Sequence, residues 1–225
     1  MTEAVEAFLG VPWSRVANAV IETVYMVSVS LIIGTVAAFI IAILLMLCRK
    51  GGLYQNSVVY NVLNFIINIV RSTPFVVLLI AVMPLTKAVI GTRIGPTAAI
   101  VPLTISIIPL LVRLMENSLL GVGNGIIEAA LAMGASPVQI VFRFILPEAL
   151  GSLILSLTTG IVGLIGSSAM AGYIGGGGIG SLVLNYGYNR FNYKLMYTLV
   201  VLLIVITQII QSAGNSLAGK WRSKK

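Results

Sequence analysis

A chain of 225 residues is short enough for one soluble domain, but 58% hydrophobic and 9% charged residues depart from the about 45–50% apolar and about 25% charged content of globular chains, and place it in a lipid bilayer. The net charge of +8 comes from basic residues in short connections and the tail, a pattern set by membrane topology and not by nucleic-acid binding. A single cysteine, Cys48, no histidine and no aspartate exclude a disulfide framework, a Cys/His metal site and any Ser-His-Asp triad.

The opening "MTEAVEAFLGVPW" has no basic n-region, and the apolar stretch after it is longer than the core of a cleaved signal peptide, so it is expected to belong to the mature chain. A membrane helix needs about 20 mainly apolar residues. Five stretches qualify, from about Thr23 to Leu47, within Val58 to Leu85, about Ala98 to Met115, about Ala149 to Met170, and about Lys194 to Ala213. The expected fold is therefore an all-α membrane protein of five spans, a single domain over residues 1–225.

In the second span Asn61, Asn64, Asn68 and Arg71 fall on one helical stripe. Arg71 is costly in lipid, so it should face the bundle interior or water, and Pro74 allows a kink just beyond it. The stripe either lines a path on the cytoplasmic side or meets a cytoplasmic partner subunit, or it only forms hydrogen bonds between helices. In the third span Pro102 and Pro109, with Pro96 just ahead, should bend the helix and free backbone carbonyls.

Residues 121–146 between the third and fourth spans read as two short helices. Asn124 offers an N-cap, with Glu128 expected in the first turn, where the helix dipole favours a carboxylate. Gly134 offers a stop, and Ser136, Pro137 and Gln139 read as N-cap, N1 and N3 of a capping box. Leu146 before Pro147 is expected to end the second helix, with Pro147 and Glu148 starting the fourth span. Ile127, Ala130 and Leu131 share one face, as do Val138, Val141, Phe144 and Ile145, so both helices suit a membrane surface or a protein partner.

Ser167, Ser168 and Met170 close the fourth span. They either line or gate a path or serve as packing between helices. The following "GYIGGGGIGSL" lacks the Lys of a phosphate loop and is expected to be a flexible connection that lets spans four and five approach closely. The eight methionines are scattered and read as packing, not as ligands for a soft metal.

An odd number of spans puts the termini on opposite sides. With the C-terminus inside, the cytoplasm receives Arg49, Lys50, Arg113, Arg143, Lys220, Arg222, Lys224 and Lys225, and the other side receives Arg15, Lys87, Arg93, Arg190 and Lys194. The excess favours that orientation, with residues 121–146 cytoplasmic.

The order Glu128-Ala129-Ala130, three residues, Gly134, then Leu146-Pro147 resembles the cytoplasmic "EAA" loop of the permease subunits of bacterial ABC importers. Phe144 stands where that pattern usually has Ile, an apolar exchange. "RSTPF" from Arg71, "GTRIGPTAAIVPLT" from Gly91, "RLMEN" from Arg113 and "SAMAGYIGGGGIGSL" from Ser168 are similar to the methionine-uptake permeases of that superfamily. The resemblance implies a homodimer of permease subunits in a bacterial inner membrane, two cytoplasmic ATPase subunits that hold ATP and magnesium, and an extracytoplasmic substrate-binding protein. It implies no cofactor on this chain. It places the contact with the ATPase on Glu128, Ala129, Ala130, Gly134, Ala135, Ser136 and Pro137, and the implied substrate is an amino acid, methionine first and another of the polar-amino-acid group second.

Small Ala and Gly side chains let a helix sink into a groove, and Glu128 offers a charged partner at its rim. A homodimer also suits the geometry, because five spans alone are few to enclose a path that a two-fold interface would supply. An ion-coupled carrier is disfavoured by the acid-poor spans, where Glu22 and Glu116 each sit near an end. The structured loop argues for an energy-transducing partner over a channel, though a scaffold could use the same feature, and an enzyme lacks paired carboxylates, a nucleophile-base set or a metal cluster. From the loop pattern, Gly134→Asp and Ala130→Arg are expected to leave folding and insertion intact while uncoupling ATP hydrolysis from transport, measured after reconstitution with the ATPase.

Overall fold

In the computed structural model, residue 6 and residues 8–222 are described. Lys224, Lys225 and most of the stretch before Phe8 lie outside them, as does the side chain of Arg222. The described residues form helices joined by short turns, without strands. Helix α1 spans Trp13–Cys48, followed by α2 (Ser57–Ser72), α3 (Phe75–Ile90), α4 (Pro96–Leu120), α5 (Asn124–Ala132), α6 (Pro137–Tyr173), α7 (Gly178–Leu182, continued by a π turn over Val183–Tyr188) and α8 (Tyr193–Arg222).

Four of these, α1, α4, α6 and α8, are long and apolar enough to cross a membrane, and the bent pair α2 and α3 counts as a fifth when it is taken as one broken span. That pair departs furthest from a simple rod, because the two helices meet at 110°. Each has 16 residues, about 24 Å at 1.5 Å per residue, short of the about 30 Å hydrocarbon core. Pro74 sets the break: it is extended (φ −55°, ψ 138°) and offers no N–H to continue the helix. The expected kink is thus a full corner. Helix α1 begins ten residues earlier than the apolar run indicates, where the backbone N–H of Trp13 donates to Glu6 Oε1 at 2.9 Å.

The chain divides into two compact units, each drawn from three stretches. In the first (residues 1–33, 73–107 and 161–210), Leu9, Val16, Ala19, Ile179, Leu195 and Leu199 belong to one buried cluster. The glycine-rich segment lies in this core, contrary to the flexible connection expected for it. Gly178 N–H donates to Glu22 Oε2 at 2.7 Å, Ile179 N–H to Thr23 Oγ1 at 2.9 Å, and Gly95 N–H to Gly175 O at 2.9 Å. Gly177 and Gly178 adopt positive φ (78° and 73°), and a side chain on Gly180 would run into the Ala169 backbone. Glycine here permits close packing, not motion. Glu22, expected near a span end, sits within α1 and accepts from one backbone donor of this segment, Gly178 N–H.

In the second unit (residues 34–72, 108–160 and 211–225), Leu45 of α1, Leu111 and Met115 of α4, and Ile140 and Ile145 of α6 are fully buried or nearly so. The Ser118 and Ser156 hydroxyls meet at 2.9 Å, joining α4 to α6. Glu116 is only 4% exposed. Arg113 Nη1 donates to its Oε2 at 2.9 Å, and Arg113 Nη2 donates to Asn68 Oδ1 at 3.1 Å, tying α4 to α2. A buried carboxylate is tolerated when paired in this way and costly when its partner is removed.

Arg113→Leu is therefore expected to destabilise the protein by about 3 kcal/mol, and Arg113→Leu combined with Glu116→Leu to recover most of that loss, both read from thermal unfolding in detergent. Gly180→Ala is expected to cost about 1–3 kcal/mol by overpacking in the same assay. The control Gly219→Ala, where a side chain meets nothing within 4 Å, should be neutral or stabilising.

Candidate functional site

The loop over residues 121–146 is built by three local devices. Helix α5 starts after Gly123 as N-cap, without a side-chain cap, and its first turn carries no acid. Asn124 is thus the first helical residue and Glu128 lies one turn further on, a correction to the capping expected from Asn124. At the other end Gly134 takes φ +74°. Its N–H bonds Leu131 O at 2.9 Å while Ala135 N–H bonds Ala130 O at 3.0 Å, the paired bonds of a Schellman ending. The next helix then starts as the sequence predicts. Ser136 N–H donates to Gln139 Oε1 at 2.8 Å and Gln139 N–H donates to Ser136 Oγ at 3.4 Å, with Pro137 at the first helical position.

Pro147 does not end that helix. Residues Ile140–Ile145 form a π turn, and one helix runs from Pro137 to Tyr173. A proline inside an α-helix clashes with the carbonyl four residues back and removes a hydrogen bond. Widening the preceding turn to i→i+5 pairing, as in Leu146 N–H to Val141 O, makes room for the ring. The loop's second helix and the fourth span are therefore one rod, where two elements were expected.

Helix α5 packs on this π turn. Ala130 is 0% exposed, and Ile140, Val141 and Ile145 are buried with it. Ala130 therefore has no surface to offer a partner, and arginine there would disrupt the chain's own packing; the expectation that Ala130→Arg spares folding is withdrawn. Gly134 is open, but its positive φ strains any other residue. Glu128, Ala129, Gly134 and Ser136 are exposed, and Ala135 and Pro137 partly so.

Beside them Leu131, Met133, Val138 and Phe142 project outward, with Met133 68% and Val138 64% exposed. Sequence periodicity had grouped Leu131 with Ala130 and Val138 with Val141. The structure separates each pair, burying Ala130 and Val141 and exposing Leu131 and Val138. Four apolar side chains of this small loop are thus exposed.

The remaining candidates do not gather around this loop. Asn68 accepts from Arg113, so it serves the bond between helices that was one of its readings. Asn64 Nδ2 donates to Tyr60 O of its own helix at 2.9 Å, and Arg71 is exposed in the last turn of α2. Ser168 is buried, its hydroxyl bonded to Ile165 O at 2.7 Å; Ser167 is half-buried and Met170 exposed. No group of three or more His, Cys, Asp or Glu is placed to hold a metal among the described residues.

Residues 34–222 match the family of binding-protein-dependent transport system inner membrane components. The chain is 45% identical over 196 residues to the probable D-methionine transport system permease protein MetI of Vibrio cholerae, covering 87% of each chain. It is 42% identical to the protein of the same name from Pasteurella multocida, with 93% of this chain and 96% of the relative covered. The methionine import system permease protein MetP of Bacillus subtilis is 40% identical, with 92% and 94% covered. A chain of the MetNI methionine ABC transporter, solved in inward-facing conformations, superposes with a TM-score of 0.91 at 40% identity, covering 93% of this chain and 97% of that one. An amino acid ABC transporter solved with histidines shares the fold at TM-score 0.76 and 18% identity. The chain belongs to the binding-protein-dependent transport system inner membrane components.

Proposed function

We propose that this chain is the membrane permease subunit of an ATP-driven, binding-protein-dependent methionine importer of a bacterial inner membrane. The observation that carries the reading is the likeness to the MetNI chain, 40% identity and TM-score 0.91 over 93% of the sequence, joined to a loop whose outer face is open and apolar. Residues 1–225 act as one transmembrane domain. Two copies enclose the path, and Ser167, Ser168, Met170, Asn68 and Arg71 are its pathway or gate candidates. Two ATPase subunits sit below and a substrate-binding protein delivers from the outside. The N-terminus lies outside, and the loop and C-terminus are cytoplasmic, in keeping with the excess of Lys and Arg there. ATP and magnesium belong to the ATPase, and this chain supplies no catalytic residue.

Its own contribution is mechanical. Ala129, Gly134, Ala135, Ser136 and Pro137 form a low-profile knob, Leu131, Met133, Val138 and Phe142 give it apolar grip, and Glu128 adds a charged contact at the edge. Ala130 supports the knob from within. Because the helix that starts at Pro137 continues to Tyr173, displacing the knob moves the fourth span with no joint to absorb the push.

In liposomes carrying the permease, its ATPase and its binding protein, ATP-dependent accumulation of methionine is expected, with little of histidine or glutamine. Ala129→Arg, at an exposed position, is expected to keep the unfolding temperature and lower uptake by about tenfold or more. Equal uptake of all three amino acids would remove the substrate assignment, and unchanged uptake by Ala129→Arg would remove the docking role.

A further inference from the structure

Within the second unit a cavity of about 430 Å³ opens where the end of α1 and its following turn meet the end of α4 and helix α5. Its walls include Met46, Leu119, Leu131 and Ile145, and two charged side chains of opposite sign line it, Arg49 and Glu128. Arg49 is half-buried. Among the described residues neither Arg49 nor Glu128 has a hydrogen-bond or ion-pair partner for its side chain, and the ion pair found there joins Arg113 to Glu116. The cleft beside Tyr186 in the first unit differs, since its Glu22 is held by Gly178 and its Arg15 donates to the Tyr186 hydroxyl.

A cavity of this volume falls in the about 300–1,000 Å³ range of small-ligand sites, which pair apolar walls with a few placed polar groups. Its charge pattern selects the occupant. A simple anion or cation would pair with only one of the two, Arg49 half-buried in the wall or Glu128 at the exposed mouth. A ligand that carries both an anion and an ammonium, with an apolar body between the charges and the wall, satisfies all three features through charge-assisted hydrogen bonds. We infer that this cavity binds a free apolar α-amino acid, its carboxylate at Arg49, its ammonium at Glu128 and its side chain against Met46, Leu119 and Ile145. The bound amino acid bridges the turn after α1 to α5 of the loop. The site follows from the cavity's chemistry, and the choice of methionine as its occupant rests on the proposed function.

The test uses the intact permease–ATPase complex in phosphatidylcholine nanodiscs and labelled methionine, methionine methyl ester and the Arg49→Gln and Arg49→Lys variants. In the native complex the ester, which lacks the carboxylate, is expected to bind about tenfold more weakly than methionine. Arg49→Gln is expected to lower methionine affinity by about the same factor and to abolish the preference over the ester, while Arg49→Lys keeps it. ATP-driven methionine uptake by Arg49→Gln should persist. Uptake in the absence of any Arg49-dependent binding would overturn the site and leave the transport function standing; absence of methionine uptake by the native complex would overturn the function instead. Equal binding of the ester by the native complex, or a phosphatidylethanolamine molecule retained in native mass spectra and lost in Arg49→Gln, would also overturn the amino-acid site.

Discussion

The π turn over Ile140–Ile145 is the feature on which the rest of the molecule's mechanics depends. Without it Pro147 would separate the loop from the fourth span. With it, a 37-residue helix starts at a capping box outside the apolar stretch and ends at Tyr173. Its first turns are held by burial of Ile140, Val141 and Ile145 and by the seat they make for Ala130. π turns inside helices are uncommon and tend to mark functional positions, and here the wider turn resolves a clash between a proline and the continuity of a helix.

Several polar groups elsewhere find a partner inside the protein, as lipid favours. Glu116 and Arg113 neutralise each other while Arg113 reaches Asn68. Ser118 and Ser156 share a hydrogen bond, and Ser30 donates to Ile100 O at 3.3 Å. Glu22 and Thr23 accept from the backbone of the glycine-rich segment. These bonds are modest one by one in a membrane, about 0.6 kcal/mol on average, yet they fix which helix face meets which.

Local chemistry was legible in the sequence, and long-range chemistry was not. Ser136, Pro137, Gln139 and Gly134 could be assigned because a capping box and a left-handed stop are written in neighbouring residues. The corner at Pro74 was visible as a kink for the same reason, though not its 110°. The glycine-rich segment was misjudged because flexibility and close packing use the same residue, and its partners Glu22 and Thr23 lie more than 150 positions away. Pro147 was misjudged because the remedy is made by the residues before it, whose apolar pattern is that of any helix. In the loop, periodicity found the apolar positions but not which of them face inward.

The most direct measurement is a cross-link. With Cys48 replaced by serine and Ala129→Cys as the only thiol in the permease, oxidation with single cysteines set along the ATPase groove should give a covalent permease–ATPase product whose yield changes when nucleotide closes the ATPase pair. No such product, with Ala129→Cys instead labelled by an impermeant maleimide from outside intact cells, would contradict a loop that docks on the ATPase.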